Sequence, residues 1–143
     1  MPTVTPPGGG RATGRRGEEL AAQHLRRRGF TILARNLRTG AGEIDLIATD
    51  GSTIVFAEVK TTRFLRAPDS DTDGAAAPAT AAACVLERLG PRQRLRVRGL
   101  ALDWLRGRPP TPRSAAELRF DAIGVVLGPA GELLALEHLE GAW

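Results

Sequence analysis

The order of apolar and polar positions predicts two helices and five strands. Between residues 13 and 28, Glu18, Ala21, Ala22 and Leu25 recur at i, i+3, i+4 and i+7, which is one face of a helix. Glu19, Gln23, Arg26 and Arg27 fall on the other side, and Gly29 stops the pattern. Residues 30–34 read as a first strand and 36–42 as a glycine-bearing loop. Residues 43–48 and 53–60 form the second and third strands, joined through the hairpin signal Asp50-Gly51. Residues 61–66 then leave the sheet. A second helix over 91–106 draws its apolar positions from Leu95, Leu100, Leu102 and Leu105, and strands follow at 118–127 and 132–139. The segments between these elements are different in kind. Residues 1–13 read as a flexible arm, 67–83 as a disordered or loosely helical Ala/Pro/Asp-rich insert, and 108–114 as a Pro-rich link. Residues 14–143 thus make one domain around the insert.

The third strand is apolar enough to lie inside a sheet, yet it carries Glu58 and Lys60 on one face. Burying a charge is costly unless it is paired or holds a metal, so the two residues are either a salt bridge or a site. Lys60 is the only lysine among 20 basic residues. A chain this biased to arginine keeps the slimmer ammonium here. With a two-residue turn at Asp50-Gly51, Thr49 faces Ser52, Asp45 faces Phe56 and Glu43 faces Glu58. Asp45 and Glu58 are then diagonal neighbours, roughly 7–8 Å apart. Ile44, Leu46, Ala48, Val55, Ala57 and Val59 fill the opposite face and must be core. Glu18 lies on the inward stripe of the first helix, either facing a cleft or serving as a helix-start carboxylate against the helix dipole. Glu43 shares a face with Asp45 and is either a further ligand or, the preferred reading, the partner of Arg38.

Charge adds a partner class. The net charge is +4 with a pI of about 10.8, and arginines cluster at Arg11, Arg15 and Arg16, at Arg26 to Arg28, and at Arg92, Arg94, Arg96 and Arg98. Such runs suit a phosphate backbone. Aromatics are 4% of residues with no tyrosine, which argues against a base-stacking platform. No stretch approaches a membrane span. The Pro/Gly-rich start lacks the hydrophobic segment of a signal peptide, so a soluble, cytoplasmic protein is expected. Cys84, the single cysteine, reads as an inert small hydrophobe. His24 and His138 have no ligand-spaced partners and read as structural, as does an ion pair between Arg119 and Asp121.

Asp45, Glu58, Lys60 and Glu18 remain. All-oxygen ligands suit Mg²⁺, and a nearby lysine can orient water and stabilise charge developing on a phosphate. An Asp followed across a hairpin by Glu-x-Lys is the PD-(D/E)xK nuclease signature. The wider pattern is more specific: Gly14-x-x-Gly17-Glu18-x-x-Ala21, Gly29-Phe30-x-Ile32-Leu33-x-x-Asn36-x-Arg38, Gly42-Glu43-Ile44-Asp45-Leu46-Ile47-Ala48, Val55-Phe56-x-Glu58-Val59-Lys60-Thr61, Arg119-Phe120-Asp121 and Glu137-His138. Over residues 14–143, apart from the insert, the chain resembles the YraN family of small bacterial proteins labelled as endonucleases and similar to archaeal Holliday junction resolvases.

The resemblance implies an α/β, restriction-endonuclease-like core, a mixed central β-sheet flanked by α-helices. It implies Glu18, Asp45 and Glu58 as acidic residues holding Mg²⁺ (or Mn²⁺), the Val59 carbonyl as a further ligand, and Lys60 as the catalytic lysine. Arg15, Arg16, Arg38, Arg63, Arg92 and Gln93 are the candidate nucleic-acid contacts. DNA, branched or damaged, is the expected partner, and a homodimer the expected assembly. Two departures stand out. Arg92 replaces the lysine the family usually places before the glutamine of the second helix, and Thr62 with the long insert follows the Glu-x-Lys strand. A non-cleaving nucleic-acid-binding protein and a protein-interaction module with a buried Glu58–Lys60 pair are the two rival readings.

Overall fold

The computed structural model describes residues 9–40, 42–64, 78–107 and 117–143. Expectations for the start of the arm (1–8), for most of the insert (65–77) and for the Pro-rich link (108–116) lie outside the described residues. The elements run α1 (Gly9–Arg27), β1 (Thr31–Thr39), β2 (Gly42–Thr49), β3 (Thr53–Arg63), α2 (Pro78–Glu87), α3 (Pro91–Arg106), β4 (Glu117–Leu127) and β5 (Leu133–Leu139). The strands form one sheet in the order β1-β2-β3-β4-β5. Only β3 and β4 are parallel; the other neighbours are antiparallel. The parallel pair needs a crossover, and α2 and α3 lie within it. This is the expected mixed sheet flanked by helices, consistent with a restriction-endonuclease-like core.

Each sheet face is covered because each presents an apolar set. On one side Ala21, Ala22 and Leu25 of α1 pack on Leu46, Ala48, Val55, Ala57, Val59, Ile123 and Val125. On the other, Val97, Leu100 and Ala101 of α3 pack on Ile44, Ile47 and Phe56, while Leu86 of α2 and Leu89 just beyond it cover Ala122. Of the six residues expected as core on the face opposite Asp45 and Glu58, five pack together against α1. Ile44 is the exception and joins the α3 side. The β2–β3 ladder ends at Leu46↔Ala57 although both strands continue. The strands therefore fork, and the start of β2 lies against α3. Among the described residues no helix is long and apolar enough to cross a membrane.

Several local readings change. The hairpin turn is centred on Gly51-Ser52, not Asp50-Gly51. Asp50 N–H bonds the Thr53 carbonyl, Gly51 takes φ +97°, and the Asp50 carboxylate accepts from the backbone N–H groups of Ser52 and Thr53. Glycine at the first central position is what a positive φ there requires. Moving the turn by one residue shifts the register by two, so every side chain keeps its face and Thr49 pairs with Ile54. β1 runs on to Thr39 through the expected loop, because pairing with β2 outweighs the loop-like composition. Its irregularity is absorbed by a register shift between Ile32 and Ala34 and by Asn36 at φ +48°. β3 stays in the sheet to Arg63, held by its parallel pairing with β4.

The alanine-rich stretch, expected as disordered or loosely helical, is helical from Pro78 on. Alanine favours helix, proline is tolerated in the first turn, and Ala82, Val85 and Leu86 are buried. Gly124 lets this helix lie close, since a Cβ there would sit 2.9 Å from the Ala82 carbonyl oxygen. Cys84 is exposed on α2. In α3 the inward face is Val97, Leu100, Ala101 and Trp104, a true i, i+3, i+4, i+7 set. Leu95 and Leu102, two of the four leucines expected to supply the apolar positions, are exposed.

Candidate active site

The fork between β2 and β3 gathers the acidic residues. Extending the observed register places Asp45 directly opposite Glu58, closer than the diagonal arrangement expected from the sequence. In a continuing ladder the Val59 N–H and C=O would both point toward β2. Instead the Val59 N–H donates to Asp45 Oδ2 at 2.8 Å. The carboxylate thus takes over a backbone donor freed by the parting strands, and this fixes its orientation.

Glu58 is buried and tied on two sides. Gln93 Nε2, in the first turn of α3, donates to Glu58 Oε1 at 2.5 Å. Lys60 Nζ lies 3.4 Å from the same oxygen, with the lysine side chain about one-third exposed. Glu58 faces Asp45 across the fork. Burial, then repulsion from Glu58, pushes Asp45 up to about 8. Burial likewise raises Glu58, opposed by Lys60. At neutral pH Asp45 therefore keeps a proton where two carboxylates face one another.

Glu18 comes from the middle of α1. The helix begins at Gly9, so the helix-start reading of this carboxylate falls away: the dipole acts only within the first turn. α1 reaches β3 closely because residue 17 is glycine. A Cβ there would fall 1.8 Å from Thr61 Oγ1. Glu18 is half-buried and hydrogen-bonds Asn36; burial raises its pKa, and that bond opposes the shift. The carboxylate oxygens of Glu18, Glu43 and Asp45 lie within 4.8 Å of one another. Glu43 is thus part of this acidic group and also pairs with Arg38 at 3.5 Å, the preferred reading of the sequence. Alternation along β2 was the signal for it. Asn36 stands in the sequence pattern, but its positive φ and its bond to Glu18 were not legible there.

A cleft of about 520 Å³ opens over this group, lined by Arg38, Thr39, Gly42, Glu43, Asp45, Glu58, Gln93, Arg96 and Val97. The candidate nucleic-acid contacts divide around it. Arg38 and Gln93 line the cleft, Arg15 lies near Glu18, and Arg92 is exposed at the start of α3. Arg16 and Arg63 instead donate to the carbonyls of Gly131 and Pro129 in the β4–β5 turn. Away from the cleft, Arg119 holds Asp121 through two bonds of 2.8 and 2.9 Å. His138 Nε2 lies 2.7 Å from Asp121, and His138 Nδ1 lies 3.0 Å from His24 Nε2. These residues tie α1 to β4 and β5, the structural role expected of them.

The kinship of the chain can now be set beside this geometry. The profile of an uncharacterised protein family, UPF0102, matches residues 17–125. The chain belongs to the UPF0102 family. That is the YraN-like family to which the motifs pointed. A UPF0102 protein of Acidothermus cellulolyticus is 41% identical over 143 aligned residues, covering 92% of this chain and 93% of its own. One from Frankia alni is 41% identical with 92% and 94% coverage, and one from Anaeromyxobacter dehalogenans is 39% identical with 94% and 86% coverage. The matched span of the UPF0102 profile contains Glu18, Glu43, Asp45, Glu58, Lys60 and Gln93, the whole of the acidic fork.

Proposed function

We propose that this UPF0102 protein is a metal-dependent endonuclease of the PD-(D/E)xK type, acting on DNA in the cytoplasm. The observation that carries the reading is the convergence of Glu18, Glu43 and Asp45 within 4.8 Å, beside Glu58 and Lys60. The donor set fits Mg²⁺ or Mn²⁺: every side chain is a hard oxygen ligand. A proton now relieves the Asp45–Glu58 repulsion, and a cation would relieve it without one. Asp45, Glu18, Glu43 and Glu58 are the residues that would hold it, with the Val59 carbonyl as a backbone oxygen. Such a cation, when bound, supplies charge stabilisation to a phosphodiester and acidifies water.

The chain's own groups do the rest. The Val59 N–H orients Asp45, and Gln93 orients Glu58. The Lys60 ammonium, held beside Glu58 and partly exposed, can position the attacking water and stabilise negative charge as it grows on the phosphate. The basic surface favours a polyanionic substrate, and the likeness to resolvases makes branched DNA the first candidate.

The test is incubation with linear, flap and four-way-junction DNA in Mg²⁺ or Mn²⁺, beside Glu58→Gln. Metal-dependent cleavage that the variant lacks is expected. Salt-dependent binding with no cleavage on any substrate, in both proteins, would replace this reading by a non-cleaving DNA-binding protein.

A further inference from the structure

An acidic cleft repels the phosphate that the proposed reaction needs, so positive charge on its walls would add to that of Lys60 and a bound cation. Two arginines line it: Arg38 from β1 and Arg96 from α3. Arg38 is already engaged with Glu43. Arg96 makes no ion pair among the described residues. Its stem is held in place by an unusual contact. It lies over the start of β2, at Gly42, where the backbone has φ +148°. A Cβ at Gly42 would fall 2.7 Å from Arg96 Cδ, 3.2 Å from its Cγ and 3.4 Å from Leu100 Cδ1. The bare backbone of Gly42 is therefore the track along which Arg96 enters the cleft. The stem of Arg96 rests on Gly42 while the side chain as a whole is exposed and makes no ion pair among the described residues, which leaves its planar donor fork for a ligand.

We infer that Arg96, seated on Gly42, is the phosphate-positioning residue of this cleft. With Arg38 on the other wall, it grips the DNA backbone over the carboxylates. This rests on the nuclease reading for the identity of the ligand, and it assigns a role that the motifs alone do not give. Arg96 appears in the sequence only as one arginine in a basic run.

The test is fluorescence anisotropy of labelled duplex DNA in Ca²⁺ across a salt series. Arg96→Ala is expected to weaken binding and to lower the slope of log K against log salt by about 0.9, the worth of one phosphate contact. A fourfold rise in salt would then weaken the variant about 3.5-fold less than the parent. Arg96→Lys should restore the slope but not the full affinity. Arg106→Ala, at the far end of α3 and paired with Asp103, is the matched control. Gly42→Ala, which also strains the backbone at φ +148°, should weaken binding in the parent by more than it does in the Arg96→Ala background. A slope for Arg96→Ala equal to that of Arg106→Ala would overturn the inference, as would no DNA binding at all. If Arg96 proves necessary for binding while no DNA is ever cleaved, the inference stands and the nuclease reading fails. If cleavage occurs with the slope unchanged, the nuclease reading stands alone.

Discussion

Replacing Asp45 by asparagine should make the metal-free protein more stable and at the same time disable its site. Asparagine keeps an oxygen for the Val59 N–H but carries no charge into the fork. In the folded chain the Asp45 carboxyl is raised from 3.8 to about 8, first by burial and then by Glu58. At about 1.4 kcal/mol per pH unit, ionising it costs the fold up to roughly 6 kcal/mol. Glu58 and Glu18 are raised as well and take up protons in turn, and the cleft is open to water. About half of that, roughly 3 kcal/mol, is expected from the single change.

The sign follows from the direction of the shift. Below the ordinary value of 3.8 both states hold the proton and the contribution is intact. As pH rises toward 8 the unfolded state has released it and the folded state has not, so stability is lost. Urea unfolding in EDTA should therefore find parent and Asp45→Asn nearly equal at pH 4. By pH 8.5 the variant should lead by about 3 kcal/mol, worth roughly 10 °C in Tm. Mg²⁺ should reverse the order: at a thousandfold excess over Kd it adds about 4.1 kcal/mol to the parent and little to the variant. A variant less stable than the parent at pH 8.5 in EDTA, or a gap that does not change with pH, would refute the reasoning.

Other consequences are open to measurement. Gly17→Ala drives a methyl group into Thr61 and should cost about 1–3 kcal/mol, with a larger loss of metal affinity, because α1 carries Glu18; titration calorimetry with Mn²⁺ separates the two. For Asp121, burial is outweighed by the bonds from His138, Arg119 and the Gly141 N–H, which hold its carboxyl below the ordinary value. Asp121→Asn should cost roughly 3 kcal/mol at pH 7, and the deficit should shrink as pH falls below 3.8 and the parent carboxylate is protonated too, as acid titration of unfolding would show. Light scattering should give a homodimer of the 15.2 kDa chain; a monomeric mass would remove the dimer that the resemblance implies.

Much of this architecture is written in periodicity. Ala21, Ala22 and Leu25 announce the inner face of α1, and alternation along β2 and β3 announces both the core face and the shared face of Asp45 and Glu58. Those signals are local, and burial enforces them. The exact register was less legible, because Asp50-Gly51 and Gly51-Ser52 both offer glycine to a tight turn, and the choice is made by the Asp50 carboxylate capping the loop. The extension of β1 through Asn36, the fork that turns Asp45 onto the Val59 N–H, and the approach of Arg96 across Gly42 depend on partners distant in sequence. Nothing in the local pattern encodes them. The Gln93–Glu58 bond is of the same kind: the motif marked Gln93 as a DNA contact, while the fold places its amide on a carboxylate.

The most direct test of the central claim is nicking of covalently closed circular DNA, which offers no ends. The account predicts open-circle product with Mg²⁺ or Mn²⁺ and none with EDTA or with Glu58→Gln. Closed circles left intact under every metal condition, or nicked equally by Glu58→Gln, would contradict it.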